Sequence, residues 1–301
     1  MEETRRGFEA LEGDLSALFG EDTAAVSKAL DWIAAVSRPG SPQDAKVMPH
    51  VMGMAFAMLA NTASAGSDGG TIGDFVPSYR SQLHPDRAPA MRAVVRDTFL
   101  KPVTALEIGP WFGSGSTQLW IDALPRGSSL FMVDAWARYL TDRDRDGNVN
   151  PSYRLMDKLP QAALTATVRA MFQAEARPDN DTEFVLLRGR ASRVLDLFRD
   201  GLFDFVYIDG SHYYAEVKRD IALAKRLSKA EFSIVCGDDL ETLDPKLVEV
   251  AKLAQDRDFI FYDGVGFHPG VALAVSEEFS EVNTSNGFWW AIRRNGAWGL
   301  A

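Results

Sequence analysis

From residue 104 onward the chain alternates short apolar runs with amphipathic stretches. The apolar runs fall at 104–108, 129–133, 183–187, 203–208, 232–236, 258–261 and 288–292. Runs this short, rich in β-branched and aromatic side chains, predict strands. Between most of them lie 116–124, 153–172, 192–198 and 214–227, where apolar residues recur at helical spacing. Near-continuous apolar runs mark strands buried on both faces. The alternation therefore predicts an α/β fold, a doubly wound and mostly parallel sheet covered by helices. Ahead of residue 104 the pattern is helical, with candidates at 27–36, 43–60 and 89–99 and a Gly/Ser-rich loop at 64–71. Two units follow from this change of pattern: an N-terminal helical extension, 1–102, and a sheet domain, 103–301. The methionines of the second candidate helix (Met48, Met52, Met54, Met58) read as core packing. A lid beside a substrate is the alternative.

Composition changes this picture little but removes several functions. The longest strongly apolar stretch, near 51–60, is too short to span a bilayer, and the N-terminus lacks the build of a secretion signal. A single cysteine, Cys236, excludes a disulfide within one chain and fits a cytoplasmic protein. The net charge of −10, without a basic run interleaved with aromatics, argues against nucleic acid as a partner.

In a doubly wound sheet ligands bind at the C-terminal ends of the strands, so the residues after each run carry the chemistry. After the first come Glu107, then Gly109, Gly113, Ser114, Gly115 and Ser116, a strand-to-helix turn whose glycines permit close approach of a ligand. A tight turn alone is the bland reading, and the Gly-Lys-Ser/Thr of a phosphate loop is absent. After the second comes Asp134, placed to accept hydrogen bonds from the two hydroxyls of a ribose, or else an exposed loop acid. Ser192, after the third, either caps a helix or touches an adenine edge. The fourth ends in Asp209-Gly-Ser-His212 and the fifth in Gly237-Asp238-Asp239.

The fourth and fifth strands should be neighbours, which brings Asp209, Asp238 and Asp239 together. Like charges so close need a hard cation such as Mg²⁺, unless one of them caps a helix or meets an arginine. His212 suits accepting a proton near neutral pH, or braces the strand tip. A further acidic stretch, 142–150, matches the first half of a calcium loop, yet its twelfth place is Tyr153 rather than Glu; a solvated loop is expected.

Glu107-Ile-Gly109 through Thr117, Asp134, the Asp209–His212 tip and Gly237-Asp238-Asp239 together resemble the class I S-adenosylmethionine-dependent methyltransferases. The likeness covers roughly 103–294 and is greatest to the metal-dependent O-methyltransferases of antibiotic pathways, of the macrocin and cephamycin-cluster type. Catechol O-methyltransferase is a more distant relative. It implies a seven-stranded, Rossmann-like methyltransferase sheet. It also implies that Glu107 and the 109–115 turn hold the amino-acid part of S-adenosylmethionine, that Asp134 holds its ribose, that 189–192, with Ser192, lies near adenine, and that Asp209 contacts the cofactor as well. Asp209, Asp238 and Asp239 would bind Mg²⁺, and His212 stands where the catechol-type enzymes carry a basic lysine.

The expected activity is metal-assisted O-methylation of a small-molecule hydroxyl, with N-methylation or other sulfonium chemistry the alternative. A nicotinamide-dependent oxidoreductase would explain the glycine turn and Asp134 but not three convergent acids. Relatives of this group commonly assemble through N-terminal helices, so the resemblance would imply a homo-oligomer.

Overall fold

The computed structural model describes residues 83–141, 144 and 160–300. The candidate helices at 27–36 and 43–60, the methionine stripe and most of the calcium-like stretch lie outside the described residues.

Helix α1 (Ala88–Arg96) precedes β1 (Thr104–Ile108), α2 (Ser116–Ala123) and β2 (Ser129–Asp134). Then come α3 (Pro160–Glu175), β3 (Glu183–Arg188), a one-turn helix α4 (Ala191–Val194) continued by a 3-10 turn, β4 (Phe205–Ile208) and α5 (Tyr214–Leu227). The remainder is β5 (Phe232–Gly237), α6 (Pro245–Ala251), β6 (Ile260–Tyr262), β7 (Val265–Phe267), α7 (Pro269–Glu278), β8 (Asn283–Ser285), β9 (Phe288–Arg294) and β10 (Ala297–Gly299).

The main sheet runs β10-β9-β5-β4-β1-β2-β3, with β8 paired to β9. Strands β1 to β5 are parallel to one another, while β9 runs antiparallel to β5. This is the expected doubly wound, mostly parallel α/β sheet, with β4 and β5 adjacent. One strand was mislaid by the apolar pattern. The run at 258–261 pairs instead with β7 in a separate two-stranded hairpin. Its place in the main sheet is taken by β8 (Asn-Thr-Ser) and β10 (Ala-Trp-Gly), three-residue strands too short to carry a clear strand signal.

Alternate residues of the same strands feed two cores. Leu106, Ile108, Phe131, Val133, Val206 and Ile208 pack on the α5–α7 face. Ala105, Leu130, Met132, Phe205, Tyr207 and Cys236 pack on the α1–α2–α3 face. Burial on both faces is why the strands read as continuous apolar runs. Strand order reverses between β1 and β4, which opens a crevice at their C-terminal ends.

Candidate functional site

A cleft of about 260 Å³ lies above that reversal, lined by the loops after β1, β2, β3, β4 and β5 and by Leu83 and Arg87 from the N-terminal side. Gly109 opens the first loop with φ +89°, and a Cβ there would lie 2.0 Å from the Asp209 carbonyl oxygen. No other residue fits, because Asp209 N donates to Ile108 O (2.8 Å) and draws the two strand ends together. Gly109, Ser114, Gly115 and Ser116 face the cleft; Gly113 packs against Thr167 of α3. Two polar atoms of this loop, Ser114 Oγ and Trp111 Nε1, are buried without partners. Unsatisfied donors at the rim of a glycine cradle fit a bound polar ligand.

Glu107 lies below the cleft rather than in it. Ser116 Oγ donates to its Oε1 (2.6 Å) and Thr117 Oγ1 to its Oε2 (2.7 Å), so the carboxyl anchors the first turn of α2 from beneath. Burial pushes its pKa up to about 7, against the lowering effect of the two hydroxyls. Asp134 does reach the cleft. Its Oδ1 accepts from Trp136 N (2.7 Å) and its Oδ2 from Trp111 N (3.2 Å), which ties the glycine loop to the end of β2. Burial pushes this carboxyl up to about 6. A carboxylate offers about four acceptor sites, so one remains for a ligand hydroxyl beside these backbone donors. Ser192 does not cap α4, where Arg190 holds the N-cap place; it sits in the first turn and faces the cleft.

The acidic tips of β4 and β5 form the opposite wall. Tyr207 Oη donates to Asp209 Oδ2 (3.1 Å) and lies 3.4 Å from Asp238 Oδ2. Asp239 adopts φ +60°, a left-handed conformation that turns its carboxylate back beside Asp238. The cation that these two acids require is Arg87. Its Nη1 lies 2.5 Å from Asp238 Oδ1 and 2.9 Å from Asp239 Oδ1, while its Nε donates to Asn286 O (2.7 Å). The expected Mg²⁺ set of Asp209, Asp238 and Asp239 does not fit this arrangement. Each acid of the Asp238–Asp239 pair gives an oxygen to the guanidinium, and the second oxygen of Asp239 meets His212. A hard ion would have to displace a tethered cation to enter.

His212 is held between two carboxylates, with Nε2 3.1 Å from Asp239 Oδ2 and Nδ1 2.9 Å from Asp258 Oδ1. Burial works against its charge, but Asp258 and Asp239 override it and raise its pKa well above the usual value. A doubly bonded imidazolium has no lone pair with which to accept a proton, so His212 in this state is not the expected base. For Asp239, burial is outweighed by His268, His212 and Arg87, which hold its carboxyl below the usual range. For Asp209, burial, Asp238 and Asp239 all push upward, and it stands well above that range.

Four residues of this wall were invisible in the sequence: Arg87, Glu241, Asp258 and His268. The only hint was the pair Asp238–Asp239 itself, which demanded a cation without saying which. His268 lies beside His212, ring centroids 4.4 Å apart, with Nδ1 2.9 Å from Glu241 Oε1. From the calcium-like stretch, Asp144 is described, and it is buried rather than solvated. It accepts from Tyr213 Oη (2.8 Å) and Thr141 Oγ1 (2.6 Å). No described helix is long and apolar enough to cross a membrane.

Residues 106–240 match the family described as "Methyltransferase domain". Among curated proteins none matches the chain. Many solved structures are similar to it, three of which follow. A Klebsiella pneumoniae protein, titled an O-methyltransferase by inference, is 17% identical, covering 81% of this chain and 97% of its own at a TM-score of 0.44. The O-methyltransferase TomG of Streptomyces achromogenes, involved in tomaymycin synthesis and solved with S-adenosylmethionine, is 14% identical, covering 79% and 89% at 0.43. An O-methyltransferase of Bacillus cereus, solved with S-adenosylhomocysteine, is 12% identical, covering 78% and 89% at 0.41.

Proposed function

We propose that residues 106–240, which match the methyltransferase domain family, bind S-adenosylmethionine, and that the protein methylates a hydroxyl oxygen of a small molecule, one of the secondary-metabolite kind. One observation carries the reading. A glycine cradle with two unpartnered buried polar atoms and Asp134 shares one cleft with a separate wall of acids and histidine. The first half suits a nucleoside cofactor with an amino-acid tail. The second suits an acceptor that must lose a proton.

Gly109, Ser114, Gly115 and Ser116 would take the amino-acid part of the cofactor, Asp134 the ribose hydroxyls and Ser192 the adenine side. Glu107 would act through the start of α2, whose orientation its carboxyl fixes. In the transfer the methyl carbon's bond to sulfur breaks, its electron pair stays on sulfur, and the acceptor oxygen bonds the carbon. Alignment of the two supplies much of the acceleration. The hydroxyl proton must leave, and Asp209 is the group suited to receive it. The sulfonium's positive charge favours its ionised form, and its raised proton affinity then makes it a competent acceptor. Arg87 occupies the place beside Asp238 and Asp239 that Mg²⁺ would need.

The test is to incubate the full chain with S-adenosylmethionine and a panel of phenols, sugar hydroxyls and matched amines. S-adenosylhomocysteine should form together with an O-methyl product. Methylation at nitrogen alone, or cofactor binding without any methylated product across a wide panel, would overturn the hydroxyl reading.

A further inference from the structure

We propose that His212, Asp239 and His268 form a site for a divalent transition-metal ion, with one coordination position open to the cleft. One donor atom from each of the three lies within 4.8 Å of the others. Metal–ligand bonds of about 2.0–2.1 Å in a tetrahedron put donors roughly 3.3 Å apart. His212 Nε2 and Asp239 Oδ2 are 3.1 Å apart.

His268 supplies the independent observation. Its side chain is buried, its Nδ1 is engaged by Glu241, and its Nε2 has no hydrogen-bond partner. A buried ring nitrogen without a partner, beside another histidine and a carboxylate, calls for an ion. The fold brings it there deliberately. Gly270 lets the first turn of α7 press on the backbone of His212, where any Cβ would lie 2.1 Å from the His212 carbonyl oxygen.

The outer contacts are those that metal ligands require. Metal-binding histidines commonly direct one ring nitrogen at a carboxylate, which fixes the tautomer and turns the other toward the ion. Here Asp258 holds Nδ1 of His212 and Glu241 holds Nδ1 of His268, both at 2.9 Å. Arg87 holds the far oxygen of Asp239, leaving Oδ2 for the ion.

Two imidazoles with one carboxylate suit Zn²⁺, Fe²⁺, Mn²⁺ or Co²⁺ rather than Mg²⁺. Three protein ligands and a vacant position are the pattern of sites that act on a substrate rather than merely brace a fold. His212 and Asp239 line the cleft, so the vacancy faces the acceptor's side, where a hydroxyl oxygen could occupy it. The site itself does not rest on the methyl-transfer reading, and its test reads metal binding, so either can fail alone.

The full chain, stripped with chelator, is titrated with Zn²⁺ by calorimetry and with Co²⁺ by its visible absorption. One ion per chain should bind. Glu241→Gln should weaken binding roughly 10- to 100-fold, and His268→Gln by more. Asp209→Asn should leave it nearly unchanged, because Asp209 is no ligand here. If His268→Gln fails to fold, Glu241→Gln carries the test from its more exposed position. The proposal is overturned if the wild type binds no ion stoichiometrically. It is equally overturned if neither Glu241→Gln nor His268→Gln weakens binding, or if Asp209→Asn abolishes it while His268→Gln does not.

Discussion

Glu107→Gln should remove a pH dependence of stability that is built into the base of the cleft. In the folded protein burial raises the carboxyl from 4.5 to about 7. As pH rises through this window the unfolded chain ionises first, so the folded state binds more protons and loses stability. The difference of about 2.5 pKa units corresponds to roughly 3.4 kcal/mol over the whole range, of which about 2.5 kcal/mol falls between pH 5 and 8. Glutamine has nearly the same shape and does not ionise. Both hydroxyls can still bond it, since Ser116 and Thr117 can donate to its oxygen or accept from its amide. Equilibrium urea unfolding at pH 5 and pH 8 measures the effect. The stability of Glu107→Gln relative to wild type should rise by about 2.5 kcal/mol from the lower pH to the higher. Any fixed cost of the substitution cancels in that comparison. Parallel behaviour of the two proteins across the range would refute the claim that this carboxyl is buried and held only by two neutral hydroxyls.

Arg87→Met leaves Asp238 and Asp239 without their guanidinium, and unfolding should become easier by about 3–5 kcal/mol, the usual cost of breaking a buried ion pair from one side. Denaturant titration reads this, and a loss below 1 kcal/mol would mean that the pair is screened by solvent. Asp209→Asn should lower turnover by about 10²- to 10⁴-fold while cofactor affinity, measured by calorimetry, changes far less. Equal losses in both would make Asp209 a cofactor ligand instead of a proton acceptor.

The parallel part of the sheet was legible because burial on both faces leaves an unambiguous signature. Helix α5 was likewise legible at both ends, from Tyr214 to Leu227. The strands that were missed, β8 and β10, are held by pairing with β9 and not by apolar content, and a local pattern cannot report a partner. The same limit governs the site. Gly109, Asp134, Asp209, Asp238 and Asp239 could be picked out because each follows a strand and faces the cleft. Arg87 could not, since its acids lie 151 and 152 residues ahead of it in the sequence, and nothing local to a helix start reveals so remote a charge. Asp258 and His268 were hidden for a related reason. They flank the β6–β7 hairpin, whose two ends bring them to His212 only once the chain has folded.

The ion pair of Arg87 also decides where this protein can be cut. Similarity marks a segment from 106 to 240, yet the guanidinium that Asp238 and Asp239 share stands outside it, at Arg87. A fragment trimmed to the recognisable segment would keep both acids and discard the cation that bridges them. A piece that keeps this ion pair whole must begin ahead of Arg87. Expression boundaries, domain swaps and chimaeras are better drawn by that balance than by resemblance.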